Sequence, residues 1–183
     1  MKNLFYLLIF VVVGCSNPPH QEAIVNKYYE AINTGDFNLI SEYFSDSLLF
    51  LEMEHTVSDS KEKYQTIFDW DTHFSPKIEI LETTFTDNNT IEVLVTKTCV
   101  RIDYLNNKPL KSKQLFVFED QKIKTINTVG FVDEDFEIWS NSLAELNSYI
   151  DSLHPELSGF AYNLTKAGAV DYLKAIELFE NKQ

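Results

Sequence analysis

The chain has 183 residues, 44% of them hydrophobic, with 14 phenylalanines and nine tyrosines, enough apolar side chain for one domain with a sizeable core. Its 28 acids against 15 bases give a net charge of −13. No basic stripe, glycine-rich phosphate loop or zinc-finger spacing occurs, which disfavours nucleic acid and anionic lipid surfaces as partners. The acidic excess lies before and after residues 77–130; within that stretch the two signs balance.

Met1-Lys2-Asn3 is a short basic head, followed by an unbroken apolar run over residues 4–13. That run is too short to span a bilayer and suits the core of a signal peptide. It ends in Val12-Val13-Gly14-Cys15, which resembles the lipobox of bacterial lipoproteins. The resemblance implies cleavage before Cys15, lipidation of its thiol and membrane attachment through acyl chains. With Ser16 after the cysteine, it also implies a lipid-anchored protein of the bacterial envelope, sorted to the outer membrane. The expected organisation is a signal peptide over 1–15, a tether over 16–20, a folded domain over 21–130 and a helical extension packed on it over 131–183. Cys99 reads as a small buried hydrophobe within a strand, and lipidation of Cys15 would leave it no disulfide partner.

Residues 21–33 carry Ile24, Tyr28, Ala31 and Ile32 at helical spacing, widened by Val25 and Tyr29. Gly35 stops this helix, and Asp36 caps a second over 37–44 with Leu39, Ile40, Tyr43 and Phe44 inward. A short strand over 48–53 and a turn over 57–60 follow. Asp59 and Glu62 fit a capping-box variant that starts a third helix at Ser60 or Lys61. Tyr64, Ile67, Phe68, Asp71 and Phe74 share one side of it, so the Asp71 carboxylate lies on a covered face. Pro76 ends it.

Residues 77–130 read as four β-rich runs separated by Asp87-Asn88-Asn89, Asn106-Asn107-Lys108-Pro109 and Glu119-Asp120-Gln121. Gaps this short favour an antiparallel meander over parallel crossovers. Ile91, Val93 and Val95 share one strand face, but Lys97 and Arg101 then occupy it, which predicts a bulge near 96–98. Phe116 and Phe118 alternate with Leu115 and Val117, so both faces of the third run need cover. Phe136, Trp139, Leu143, Leu146, Ile150 and Leu153 trace an amphipathic helix that Pro155 breaks. Thr165 caps a last helix to Glu180, with Val170, Leu173, Ile176 and Phe179 inward. This tail is expected to cover the outer face of the sheet.

The stretch YYEAINTGDFNLISEYFSDSLLFL from Tyr28, with Gly35-Asp36 joining two helices, resembles the opening of the NTF2-like superfamily, in particular its SnoaL-like branch. The hairpin LFVFEDQKIKTI from Leu115 is similar to that family's last hairpin. The resemblance implies an α+β fold: a cone in which three N-terminal helices close a curved antiparallel sheet around a pocket, here with a C-terminal helical extension. The family holds isomerases, dehydratases, cyclases and non-catalytic binding modules, so fold implies no single chemistry.

Asp71 is the leading catalytic candidate, since a carboxylate facing an apolar pocket can move a proton. His55 would be its partner if the third helix folds over the first strands. Glu52, Glu54, His55, Asp71 and His73 lack any metal-ligand spacing, so no metal is expected, and no cofactor is implied. Lys97 and Arg101 would attract an anionic ligand on the concave face; they read as solvated bases on the convex face. Tyr28, Tyr43, Tyr64, Trp70, Phe74, Phe116 and Phe118 either line a cavity or form plain core. The leading reading is a lipid-anchored envelope protein whose concave face binds a small apolar or mixed ligand or serves a protein contact. The alternatives are a cofactor-free isomerase or dehydratase using Asp71 and His55, and an assembly lipoprotein that forms a homodimer or meets an envelope partner.

Overall fold

The computed structural model describes residues 20–134 and 136–182; the apolar leader and Cys15 lie outside them. α1 (His20–Thr34) buries Ile24, Val25, Tyr28, Tyr29, Ala31 and Ile32, the face its spacing predicts. Gly35 ends it at φ +70°, and the Gly35 and Asp36 amides return to the carbonyls of Ile32 and Ala31. α2 (Asn38–Ser41) is a single turn, shorter than expected. Ser45, Asp46 and Ser47 favour caps and turns over helix, and fully buried Phe44 already opens β1 (Phe44–Glu52). Where a turn was expected, β2 (His55–Ser58) forms a hairpin with β1. Met53, at φ +57°, lies in its turn. The hydroxyl of Ser60 then caps α3 (Lys61–Thr72) by accepting the Lys63 N–H at 3.3 Å.

The meander forms as β3 (Lys77–Phe85), β4 (Thr90–Thr98), β5 (Leu110–Glu119) and β6 (Lys122–Phe131), each antiparallel to the next. β1 joins β6 in parallel, which extends the sheet to six strands in the order β2-β1-β6-β5-β4-β3. Register shifts at Ile80/Glu82, Lys113/Gln114 and Val117/Phe118 accompany its curvature.

The stretch after Thr98 also differs from expectation. The apolar run from Thr90 does not continue as strand past Thr98; α4 (Val100–Asn106) follows. Cys99 is its N-cap rather than a strand residue, and the sulfur accepts the Ile102 N–H at 3.4 Å. Ile102, Leu105 and Asn106 are then buried at helical spacing. No bulge is needed near 96–98, because the strand simply ends there.

α5 (Phe136–Leu153) spans the predicted amphipathic stretch. After two 3₁₀ turns comes α6 (Lys166–Glu180), whose N-cap Thr165 accepts the Gly168 N–H. The buried face of α6 is Gly168, Ala169, Tyr172, Ala175 and Ile176, while Val170 is exposed. The expected phase is therefore wrong at Val170: small residues face inward and let α6 sit close to its neighbours. α5 and α6 pack on α3, α4 and each other, not on the outer face of β5. Two apolar cores result. One lies between α1–α3 and the inner sheet face, around Tyr28, Phe44, Phe116 and Ile126. The other joins Trp70 and Phe74 of the α3 end to α4, α5 and α6.

Candidate functional site

A cavity of about 400 Å³ lies between the two cores, within the range of about 300–1,000 Å³ usual for small-molecule sites. The inner faces of β4, β5 and β6 explain its chemistry. Ile91, Val93, Val95 and Lys97 alternate onto one face of β4, and their β5 partners in register are Phe116, Gln114, Ser112 and Leu110. The apolar members at the closed end are buried core. Towards the other end the same face presents Lys97, Ser112, Gln114 and, from β6, Thr128, all of which line the cavity.

α3 supplies the facing wall. Tyr64, Phe68 and Asp71, three and four residues apart, turn inward together, with Trp70 beside them. The Lys97 ammonium reaches both oxygens of Asp71 at 2.7 and 2.6 Å. The Tyr28 and Tyr64 hydroxyls bond each other at 2.8 Å, wholly buried. Burial, foremost, and then the hydroxyl and carboxylate neighbours push Tyr64 well above the ordinary phenol range. Burial raises Tyr28 too, despite its bond to Tyr64. Gln114 accepts the Tyr29 hydroxyl proton at 2.9 Å, which fixes the side-chain amide.

At the other end of the cavity Arg101, the second residue of α4, lies among three aromatic rings. Its guanidinium carbon is 4.8 Å from the Trp70 ring centre, 5.1 Å from Trp139 and 5.7 Å from Phe74. Among the described residues no carboxylate forms an ion pair with it. The nearby Tyr172 hydroxyl is pushed up to about 12 by burial, with Arg101 acting against that shift. Phe131, Phe136 and Leu164 continue the wall. Phe136 and Leu164 are themselves partly open to solvent and form the rim.

Of the residues singled out in the sequence, Tyr28, Tyr64, Trp70 and Asp71 line this cavity. Phe74, Phe116 and Phe118 are buried core beside it. Tyr43 lies at the edge of the core, where its hydroxyl accepts a hydrogen bond from Lys27 at 3.1 Å. His55 is exposed at the start of β2 and is not part of the wall, so the expected pairing with Asp71 is not made; Lys97 holds that carboxylate instead. Lys97 and Arg101, read as convex solvated bases, both turn inward. Strand parity carries the signal for Lys97, which continues the Ile91–Val93–Val95 face. For Arg101 the parity argument fails because the residue is helical. Among the described residues no group of three or more His, Cys, Asp or Glu side chains is arranged to hold a metal ion.

No protein-family model and no curated protein matches the chain in sequence. Solved structures do match it in shape. An NTF2-like protein of unknown function from Cytophaga hutchinsonii aligns over 64% of this chain and 94% of its own, at 14% identity and a TM-score of 0.50. A candidate polyketide cyclase from Sinorhizobium meliloti aligns over 57% and 92%, at 19% identity and a TM-score of 0.50. SalBIII, an epoxide hydrolase/cyclase-like enzyme with a role in pyran ring formation in the polyether salinomycin, aligns over 62% and 91%, at 18% identity and a TM-score of 0.52. At these identities the likeness concerns fold alone. The chain has the NTF2-like fold, a curved sheet closed by helices around an interior cavity.

Proposed function

We propose that this protein is a lipid-anchored binding protein of the bacterial envelope whose cone holds a small amphipathic ligand. The observation that carries the binding reading is the cavity of about 400 Å³ that the side chains leave open between two packed cores. Its apolar walls supply affinity, and the polar groups at Lys97, Gln114 and Arg101 supply orientation. The anchor rests on the apolar run over 4–13 and on Val12-Val13-Gly14-Cys15. Among the described residues no helix is long and apolar enough to cross a membrane; the attachment proposed is through acyl chains on Cys15. Binding is preferred over proton transfer because Lys97 occupies both Asp71 oxygens and His55 stands apart.

Native mass spectrometry of the full chain, extracted from membranes in mild detergent, tests both halves. The expected species begins at Cys15, carries covalent acyl mass and loses a further non-covalent mass on denaturation. An unprocessed chain would overturn the anchor. A mature chain that releases nothing, and whose organic extract holds no stoichiometric small molecule, would overturn the binding reading.

A further inference from the structure

Among the described residues, two buried side-chain N–H donors beside the cavity have no acceptor: Nε of Arg101 and Nε1 of Trp70. Both residues line the cavity, and the Arg101 guanidinium carbon lies over the Trp70 ring, 4.8 Å from its centre. A buried donor without a partner is destabilising, and a charged one more so. Arg101 lines the cavity with no carboxylate paired to it among the described residues, and the site's other cation is committed to Asp71, so an acceptor entering the cavity would meet an uncompensated guanidinium. From this we infer that the ligand of the cavity carries a carboxylate on an apolar body, with the acid group received by Arg101 and Trp70.

The inference rests on the binding reading above and adds the ligand's chemical class. A planar carboxylate suits Arg101 because the guanidinium offers two parallel N–H donors in a fixed fork. Trp70 and Trp139 cover the guanidinium with apolar surface, which excludes water and strengthens the charge-assisted bond. Lys97 and Asp71 cancel each other, so the cavity's inner charge is that of Arg101. Glu52, at the exposed end of β1, is the other acid on the wall. The overall charge of −13 acts against an anion at long range, but salt screens exposed charges beyond about 8 Å at physiological ionic strength. It would slow encounter more than it weakens a contact made inside. The hydrocarbon remainder of the ligand would run towards Phe68, Ile78 and Phe131.

Trp70 and Trp139 are the protein's two tryptophans, so intrinsic fluorescence reports directly on this site. The full chain in lipid nanodiscs is titrated with cyclohexanecarboxylate and with its neutral isostere cyclohexanecarboxamide, and equilibrium dialysis provides a second readout. The acid is expected to bind at least tenfold more tightly than the amide. Arg101→Gln should bring the acid down to the amide's affinity. Trp70→Phe, which keeps a ring but removes the donor, should weaken the acid by roughly tenfold, with Trp139 left to report; it also decides the matter if Arg101→Gln does not fold. Equal binding of acid and amide, or a preference for acid that survives both substitutions, overturns the carboxylate while leaving the binding reading in place. Failure of both probes to bind, by fluorescence and by dialysis, overturns the two together.

Discussion

At the scale of single residues, Asp71 and Lys97 show how one contact redirects a functional reading. Asp71 alone, on the covered face of a helix, reads as a proton carrier. Paired with Lys97 at 2.6 Å, it ties α3 to β4 across the cavity. The two side chains are 18% and 22% exposed, between the surface case, worth about 0–1 kcal/mol, and the buried case, where loss of one partner costs about 3–5 kcal/mol. Lys97→Met should therefore destabilise the protein by about 1–3 kcal/mol in urea unfolding, with Asp71→Asn in that background restoring part of the loss. The exposed Lys63–Asp59 pair is the control, and Lys63→Ala should leave the midpoint unchanged. Lys97's direction was legible from the two-residue period of β4. What obscured it was the assumption that a charged side chain on an apolar face must mark a break in that face.

At the scale of elements, the helices with strong caps or stops are legible in the sequence: α1 by Gly35, α5 by its apolar rhythm and Pro155, α6 by Thr165. α4 is not, because Val100, Ile102 and Tyr104 also fit a strand, and a seven-residue helix is too short for periodicity to decide. The phase of α6 is masked in the sequence because small residues look neutral in a hydrophobic pattern, yet Gly168 and Ala169 face inward. A Cβ added at Gly168 would collide with the backbone oxygen of Asn163. Within a helix Gly→Ala ordinarily stabilises by about 1 kcal/mol. Here the sign should reverse, because backbone cannot swing aside as a flexible side chain can. Gly168→Ala is expected to cost about 1–3 kcal/mol, seen by calorimetry as a fall in Tm of roughly 3–10 °C for a chain of this size.

At the scale of the whole molecule, five of the described tyrosines are held away from ionisation. Burial raises Tyr28, Tyr29 and Tyr64 well above the ordinary phenol range and brings Tyr104 and Tyr172 to about 12. The unfolded chain loses these protons near pH 10, whereas the folded chain keeps them to higher pH. Between those limits the unfolded state binds fewer protons, so stability falls as pH rises. The stabilisation is fully present below pH 10 and should be lost progressively between about pH 10 and 12. Thermal melts across pH 8.5–11.5 should show a steepening drop in Tm, coincident with a further rise in phenolate absorbance at ~295 nm on unfolding. A flat Tm across that range would mean that the buried tyrosines are not protected. The sequence by itself determined the meander, the capped helices and the α+β class, because hydrophobic period, turn residues and caps are local signals that need no partner. It also held the parity that aims Lys97 inward. The tertiary structure decided the parallel docking of β1 on β6, the placement of α5 and α6 on α3 and α4, and the meeting of Arg101 with Trp70 and Trp139. Those contacts join residues far apart in the chain, and no local pattern encodes which distant surface will cover which.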